Sequence, residues 1–302
     1  MTQNVPNWFI TKFNDEVKHL AQQQTLRLGG TVDDLGVFVG DQMHVPRMGA
    51  VEMYDSPAFA RLALANGKMD FIKVDCDAKF VAFGLWDPHK NKLSINLAKA
   101  YAKAANMATL RSRDKIIRDA LNNAAVNGVV NTKGDPAENI VTIGSYDKIA
   151  TLNDIAEAVA LLGENEYWDG ETVSCVTPFR HSVNFSLDPL MYKSDVNKAN
   201  LPWNSLNFRN YQKLPTSGTP GDAAEGVDLF VYAKSAVVAA ANDEMKEINE
   251  RDGGALTDII GYWHQEGAVV RESTGVIRIK SLKNFDLFRE PEQVHDTAIE
   301  AA

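Results

Sequence analysis

Cysteine is nearly absent. Cys76 and Cys175 are the only two in 302 residues, far apart and outside any Cys-x-x-Cys pattern. That excludes a disulfide-stapled fold and reads as two buried free thiols in a reducing compartment. Histidine is sparse as well. His19, His44, His89, His181, His264 and His295 include no pair at metal-ligand spacing. Eleven prolines and 20 glycines are too few for a collagen-like or low-complexity chain. No apolar run approaches the ~18 residues of a membrane span. Residues 1–28 lack the apolar core behind basic residues that marks a signal peptide. No membrane partner and cytoplasmic synthesis are the expectations. Catalytic signatures are missing too: there is no Gly-rich dinucleotide fingerprint behind a strand, no phosphate-binding loop, no nucleophile elbow and no His-Glu-x-x-His helix. Accordingly, no catalytic, cofactor-binding or metal residue is assigned, no cofactor is expected, and the chain reads as a non-enzyme.

Positive charge is in deficit. Lys and Arg number 31 against 40 Asp and Glu, a net charge of −9. This argues against general nucleic-acid binding, which depends on neutralising phosphates. It leaves room for a container whose inner wall does not hold nucleic acid tightly. With 45% apolar and 24% charged residues the chain is an ordinary globular one, not a disordered one.

What is present is a sequence of elements. Phe9, Phe13, Val17, Leu20 and Gln24 recur at helical spacing and predict a short amphipathic helix over 8–26, ended by Gly29-Gly30. A lone helix of that length needs a surface to pack on. Residues 31–85 read as extended: Val37–Val39 as a short strand, Val45–Met48 as an edge because Pro46 cannot donate to a ladder, Asn66-Gly67 as a turn, and Phe71–Asp75 and Lys79–Phe83 as strands. The segment is thin in core residues and resembles an arm. Residues 94–127 predict a helix about 50 Å long, capped by Ser94 and closed by Gly128. Residues 129–145 read as a linker. Ile149, Leu152, Ile155, Ala156, Val159 and Leu162 predict a second helix capped by Ser145 and ended by Gly163. Strands are expected at 172–179, 206–211 and 227–233, within a loop-rich stretch at 186–226. A helix is expected at 235–251, and two strands, 256–265 and 268–280, joined at Glu266-Gly267.

A few constellations carry charge chemistry. Asp75 and Asp77 point the same way on a strand, as a divalent cation would suit, and Asp33-Asp34 form another acidic pair; a solvated strand face is the favoured reading of both. Arg111, Arg113, Lys115 and Arg118 form a basic stretch on the long helix, interleaved with Asp114 and Asp119. It reads either as a patch facing nucleic acid or a neighbour, or as solvated side-chain pairs. Trp8, Trp86, Trp168, Trp203 and Trp263 are too scattered for a stacking platform.

The order of elements is the informative part. The long helix with Asn106–Lys115, the segment Val227–Val237 with its Tyr232-Ala233-Lys234-Ser235-Ala236-Val237, the pair Gly267–Val270 and Gly275–Ile279, and the stretch Ile143–Leu162 together resemble the major capsid proteins of tailed bacteriophages, the Hong Kong 97 fold shared with encapsulin shells. The resemblance covers about residues 30–285. It implies an α+β fold with an N-arm at 1–28, an extended β loop and peripheral strands at 29–92, a peripheral-domain spine helix at 93–135, an axial domain at 136–235, and peripheral return strands with a tail at 236–302. It further implies a structural subunit that forms pentamers and hexamers of itself in an icosahedral shell around double-stranded DNA. Portal, scaffolding or decoration proteins would be partners. The location would be the virion, with assembly in the host cytoplasm. An encapsulin-type compartment is the alternative, and an enzyme with dispersed site residues Asp75, Asp77 and His264 is a third reading. Some members cross-link subunits through a Lys–Asn bond; no motif here identifies such a pair.

Overall fold

The computed structural model describes Gln23 and residues 25–37, 42–48, 69–86, 97–129, 137–167, 172–188, 206–218, 225–241, 246–252 and 257–285. Most of the helix expected over 8–26, with Phe9 and Phe13, lies outside them, as do Asn66-Gly67 and Ser94. Gln23, Thr25 and Leu26 are described and are not helical; a 3-10 turn follows at Gly29–Thr31.

Two sheets organise the described residues. The first contains β1 (Asp33–Val37), β4 (Asp77–Trp86), β10 (Val237–Ala241), β11 (Lys246–Asp252) and β12 (Thr257–Val270). Its axis is β12, a strand of 14 residues. β4 flanks one edge of β12, from Thr257 to Glu266. β10 and β11 run end to end along the other edge, opposite 266–270 and 257–263. Two expectations fail here. Val237–Ala241 and Lys246–Asp252 are strands where a helix was expected over 235–251, because pairing with β12 meets the backbone hydrogen-bond demand of Val237–Ala241 and overrides the propensity of its alanines. Glu266-Gly267 is not a turn between strands: β12 runs straight through it, paired with β10 from Glu266 to Val270, while the β4 ladder ends at Glu266.

The second sheet has the order β5-β13-β9-β6-β7, with β8 added beside β9. These strands are Val141–Gly144, Val276–Leu282, Gly226–Ala233, Val173–Thr177, Asn207–Asn210 and Thr216–Ser217. β9 is buried from end to end, which its near-continuous apolar run signals. Asp228 interrupts the run, and its charge is held by Arg278 of β13 at 2.7 Å, with the Tyr146 hydroxyl donating at 2.9 Å. A buried carboxylate survives only with such partners. β13 pairs with β5 and β9, whereas the end of β12 belongs to the first sheet. The closing strands are therefore not partners of each other; each returns to a different sheet. β5 lies inside the stretch read as linker.

Three α-helices lie among the described residues. α1 (Leu97–Asn127) is 31 residues, about 46 Å. It ends where Gly128, at φ +74, turns left-handed and donates to the Ala124 carbonyl at 3.0 Å. α2 (Leu152–Glu164) begins later than expected. Thr151 and Asp154 form a capping box, so Thr151 and not Ser145 sets its start, and Gly163 lies within it. α3 (Phe179–Leu187) follows Pro178 directly, where a strand residue and a loop were expected.

α1 spans both sheets. Tyr101 stacks on Phe83 of β4, ring centroids 4.8 Å apart, and Arg113 reaches Glu266 of β12. Phe83 lies opposite Ile260. Twelve helical residues cover about 18 Å and six strand residues about 20 Å, so helix and strand run alongside in step. Farther along, Ile117, Leu121 and Ala124 join the main core with the strands of the second sheet.

Candidate assembly surface

The antiparallel hairpin of β2 (Gln42–Met48) and β3 (Met69–Asp75) forms a separate two-stranded sheet. Its alternation is strict: Asp70, Ile72 and Val74 are buried while Met69, Phe71, Lys73 and Asp75 are exposed. Val45, Val74 and Cys76 pack with Val238 and Ala240 in a small core of their own. The described part of the segment is therefore seated on the body, not thin in core residues as expected. Polar ties fix it as well. The Arg47 guanidinium donates to Glu138 at 3.0 Å and reaches Asp70 at 3.4 Å, and the Ser273 hydroxyl donates to Glu138 at 3.0 Å.

The outer face differs in kind. Pro46 lies opposite Phe71 and Met48 opposite Met69. Met48, Met69 and Phe71 are 60%, 56% and 43% exposed, and Phe80 on β4 is 79% exposed. A run of paired apolar side chains presented to solvent marks a contact surface, since scattered single residues would not lie in register. β2 has Pro46 in mid-strand, as suits an edge.

The charged residues singled out from sequence mostly find partners within the chain. Asp114 is not a surface pair. It is buried and accepts the backbone N–H of Leu28 at 2.8 Å and of Arg27 at 3.0 Å, with the Gln23 amide also donating. Arg113 pairs with Glu266, and Arg118 pairs with Asp119 and donates to the Lys213 carbonyl at 3.1 Å. Lys115 is exposed. This disperses the expected basic patch, because α1 is packed along much of its length. Asp75 is exposed and lies 3.0 Å from Lys73; Asp77 is exposed, opposite Glu266. Asp33 lies 3.8 Å from Arg271, and Asp34 accepts the Gly36 N–H at 2.9 Å. His264 is buried opposite Lys79. The three dispersed residues Asp75, Asp77 and His264 therefore form no single cleft. Among the described residues no three His, Cys, Asp or Glu side chains gather as a metal would require. No described helix is long and apolar enough to cross a membrane. Cys76 and Cys175 are free and buried, as expected.

The profile of a family described as phage capsid protein matches residues 5–283. The chain belongs to that family. It is a structural, non-catalytic capsid protein. Solved structures agree in fold. The capsid of Ralstonia phage GP4 superposes with a TM-score of 0.67 at 11% identity, over 91% of this chain and 95% of that one. A structure from Mycobacterium phage Che8 gives 0.61 at 17% identity, over 92% and 98%. The capsid of a native GTA particle, computed with C5 symmetry, gives 0.63 at 10% identity, over 90% and 95%. Comparison with curated proteins finds no match. The architecture of this capsid protein is thus α+β and Hong Kong 97-like. The outer face of the β2–β3 hairpin was missed by sequence reasoning. Its signal was there in Met48, Met69 and Phe71, whose alternation with buried residues puts them on one face.

Proposed function

We propose that copies of this chain build pentamers and hexamers that close into an icosahedral shell around double-stranded DNA. The observation that carries this reading is the apolar end of the outer face of the β2–β3 hairpin, where Pro46 lies opposite Phe71 and Met48 opposite Met69, seated from behind and exposed in front. Identical subunits offer the partner through symmetric contacts, and interfaces of obligate assemblies bury about 2,000–5,000 Å². The fivefold symmetry of the similar GTA particle capsid supports pentamers. In this reading residues 1–28 are the arm on a neighbouring subunit and 29–92 hold the overlapping loop. Within 93–135, α1 is the spine; 136–235, completed by β13, forms the axial domain, and 236–302 hold the peripheral strands and tail. Portal, scaffolding or decoration proteins are further partners. The shell matures into the virion after assembly in the host cytoplasm.

The test is the double substitution Met69→Asp with Phe71→Asp, beside Phe9→Asp with Phe13→Asp. Size-exclusion chromatography and electron microscopy read assembly, and circular dichroism reads folding. Both variants should stay folded yet lose most closed shells. Normal shells at normal yield from the hairpin variant would refute the interface. Wild-type shells that protect double-stranded DNA from nuclease support the viral reading, and shells filled with protein support the compartment reading.

A further inference from the structure

Glu266 occupies a junction. It pairs with Asp77 at the start of β4 on one edge of β12 and with Ala241 at the end of β10 on the other, so the β4 ladder stops at this residue while the β10 ladder continues to Val270. The next residue leaves no slack. A Cβ on Gly267 would come within 2.6 Å of Val74 Cγ1 and 2.7 Å of Cys76 Sγ. On the opposite face lies α1, and between them is a cavity of about 170 Å³ lined by Val32, Asp34, Arg113, Ile117, Ala240 and Glu266, among others.

Two groups compete for the Glu266 carboxyl, which is 8% exposed. Arg113 Nε lies 2.5 Å from Oε1. His264 Nε2 lies 3.5 Å from Oε2, is buried, and has no hydrogen-bond partner. The other charged groups around Glu266 are Lys79 and Asp77 on β4 and Asp34 on β1; the facing residues of β10 are alanines. An ionised carboxylate favours the guanidinium. A carboxylic acid gains less from Arg113 and can donate its proton to a neutral imidazole, leaving no uncompensated buried charge. His264 is held neutral by burial, with Arg113 and Lys79 also opposing its charge.

We propose that Glu266 is a proton-operated clasp between β12 and α1: ionised, it grips Arg113 across the cavity; protonated, it turns to His264 and lets the helix move over the strand junction. Burial pushes the Glu266 carboxyl up to about 7, against the opposing pull of Arg113 and Lys79. The exchange is thus driven by one proton from solvent near neutral pH. It needs only a single chain and stands apart from the shell reading.

The test uses the full chain. Carbon-13 carboxyl spectra, with Glu266→Gln to assign the resonance, give the titration midpoint. Hydrogen exchange of 107–117 and 257–270 at pH 6 and pH 8, corrected for intrinsic rates, gives the clasp. The midpoint should fall between pH 6 and 8. Corrected exchange should be about tenfold faster at pH 6, the factor carried by one pKa unit of coupling. Glu266→Gln should exchange fast at both pH values. Arg113→Met should raise the midpoint and do the same. A midpoint below pH 5, or a pH response that survives in Glu266→Gln, overturns the proposal. Should Glu266→Gln fail to fold by circular dichroism, the wild-type midpoint together with Arg113→Met decides.

Discussion

Asp114 offers the sharpest test of how the described chain start is held. Its carboxylate is fully buried on α1 and takes two backbone donors, Leu28 N–H at 2.8 Å and Arg27 N–H at 3.0 Å. A hydrogen bond to a charged group contributes about 1.5–3 kcal/mol net, and a buried donor left unpaired costs about 1–3 kcal/mol. Leu28 is itself fully buried, and burying a leucine stabilises by about 1.5–3 kcal/mol. These effects overlap, because freeing the segment lets water reach the donors while it uncovers Leu28. Asp114→Ala should therefore destabilise by about 3–5 kcal/mol, the range for breaking a buried charged partnership. Asp114→Asn keeps the volume and one accepting oxygen but turns an NH₂ toward donors, so it should cost about 2 kcal/mol. Urea unfolding of the full chain, at a concentration below assembly, measures both, and an unchanged m-value keeps the comparison valid. A loss under about 1 kcal/mol for Asp114→Ala would show that residues 25–28 are pinned by something other than this carboxylate.

Three further outcomes are expected. Burial lowers His181 to about 4, so its stabilising contribution is present above the ordinary value of 6.5 and is lost as pH falls toward 4. Glu266 acts oppositely: its raised value gives a contribution present below 4.5 and lost as pH rises through about 7. Each spans about 3 kcal/mol at most, from about 1.4 kcal/mol per pKa unit. Melting curves from pH 7 to 4 should steepen in acid for Glu266→Gln and flatten for His181→Gln; parallel pH slopes in all three proteins would contradict both assignments. The thiols give the third. Burial pushes Cys175 up to about 12 and Cys76 to about 11, so neither carries appreciable thiolate at pH 8. A thiol reagent should label neither in the native protein and both in urea, and rapid native labelling of Cys175 would place it outside the core.

Much of this fold was readable where the pattern is local. The core stripe Ile117, Leu121 and Ala124 with Gly128 marked the C-terminal half of α1. Alternation over Phe71–Asp75 marked β3, and the apolar run at 227–233 marked β9. What escaped depends on partners distant in sequence. Ala239-Ala240-Ala241 carries helical propensity, and only the ladder with 266–268 makes it a strand. Glu266-Gly267 looks like a turn until β12 is seen to continue through it, paired with β10. The capping box at Thr151 and Asp154 was legible and passed over in favour of Ser145. At the assembly surface, acidic pairs and a basic helix drew attention by charge, yet packing absorbs most of that charge. The exposed apolar face was quieter because methionine and phenylalanine suggest a core until their neighbours are shown to be the buried ones.

The shared rod of α1 carries a consequence for how such chains can diverge. Each added residue turns an α-helix by about 100°. One residue inserted between Arg113 and Ile117 would leave Tyr101 seated and swing Leu121 and Ala124 off the second sheet, whereas an insertion in a surface loop would disturb neither. Side chains along the rod can be exchanged for others of like size; its residue count in that interval cannot drift, and length there becomes a more heritable trait than identity.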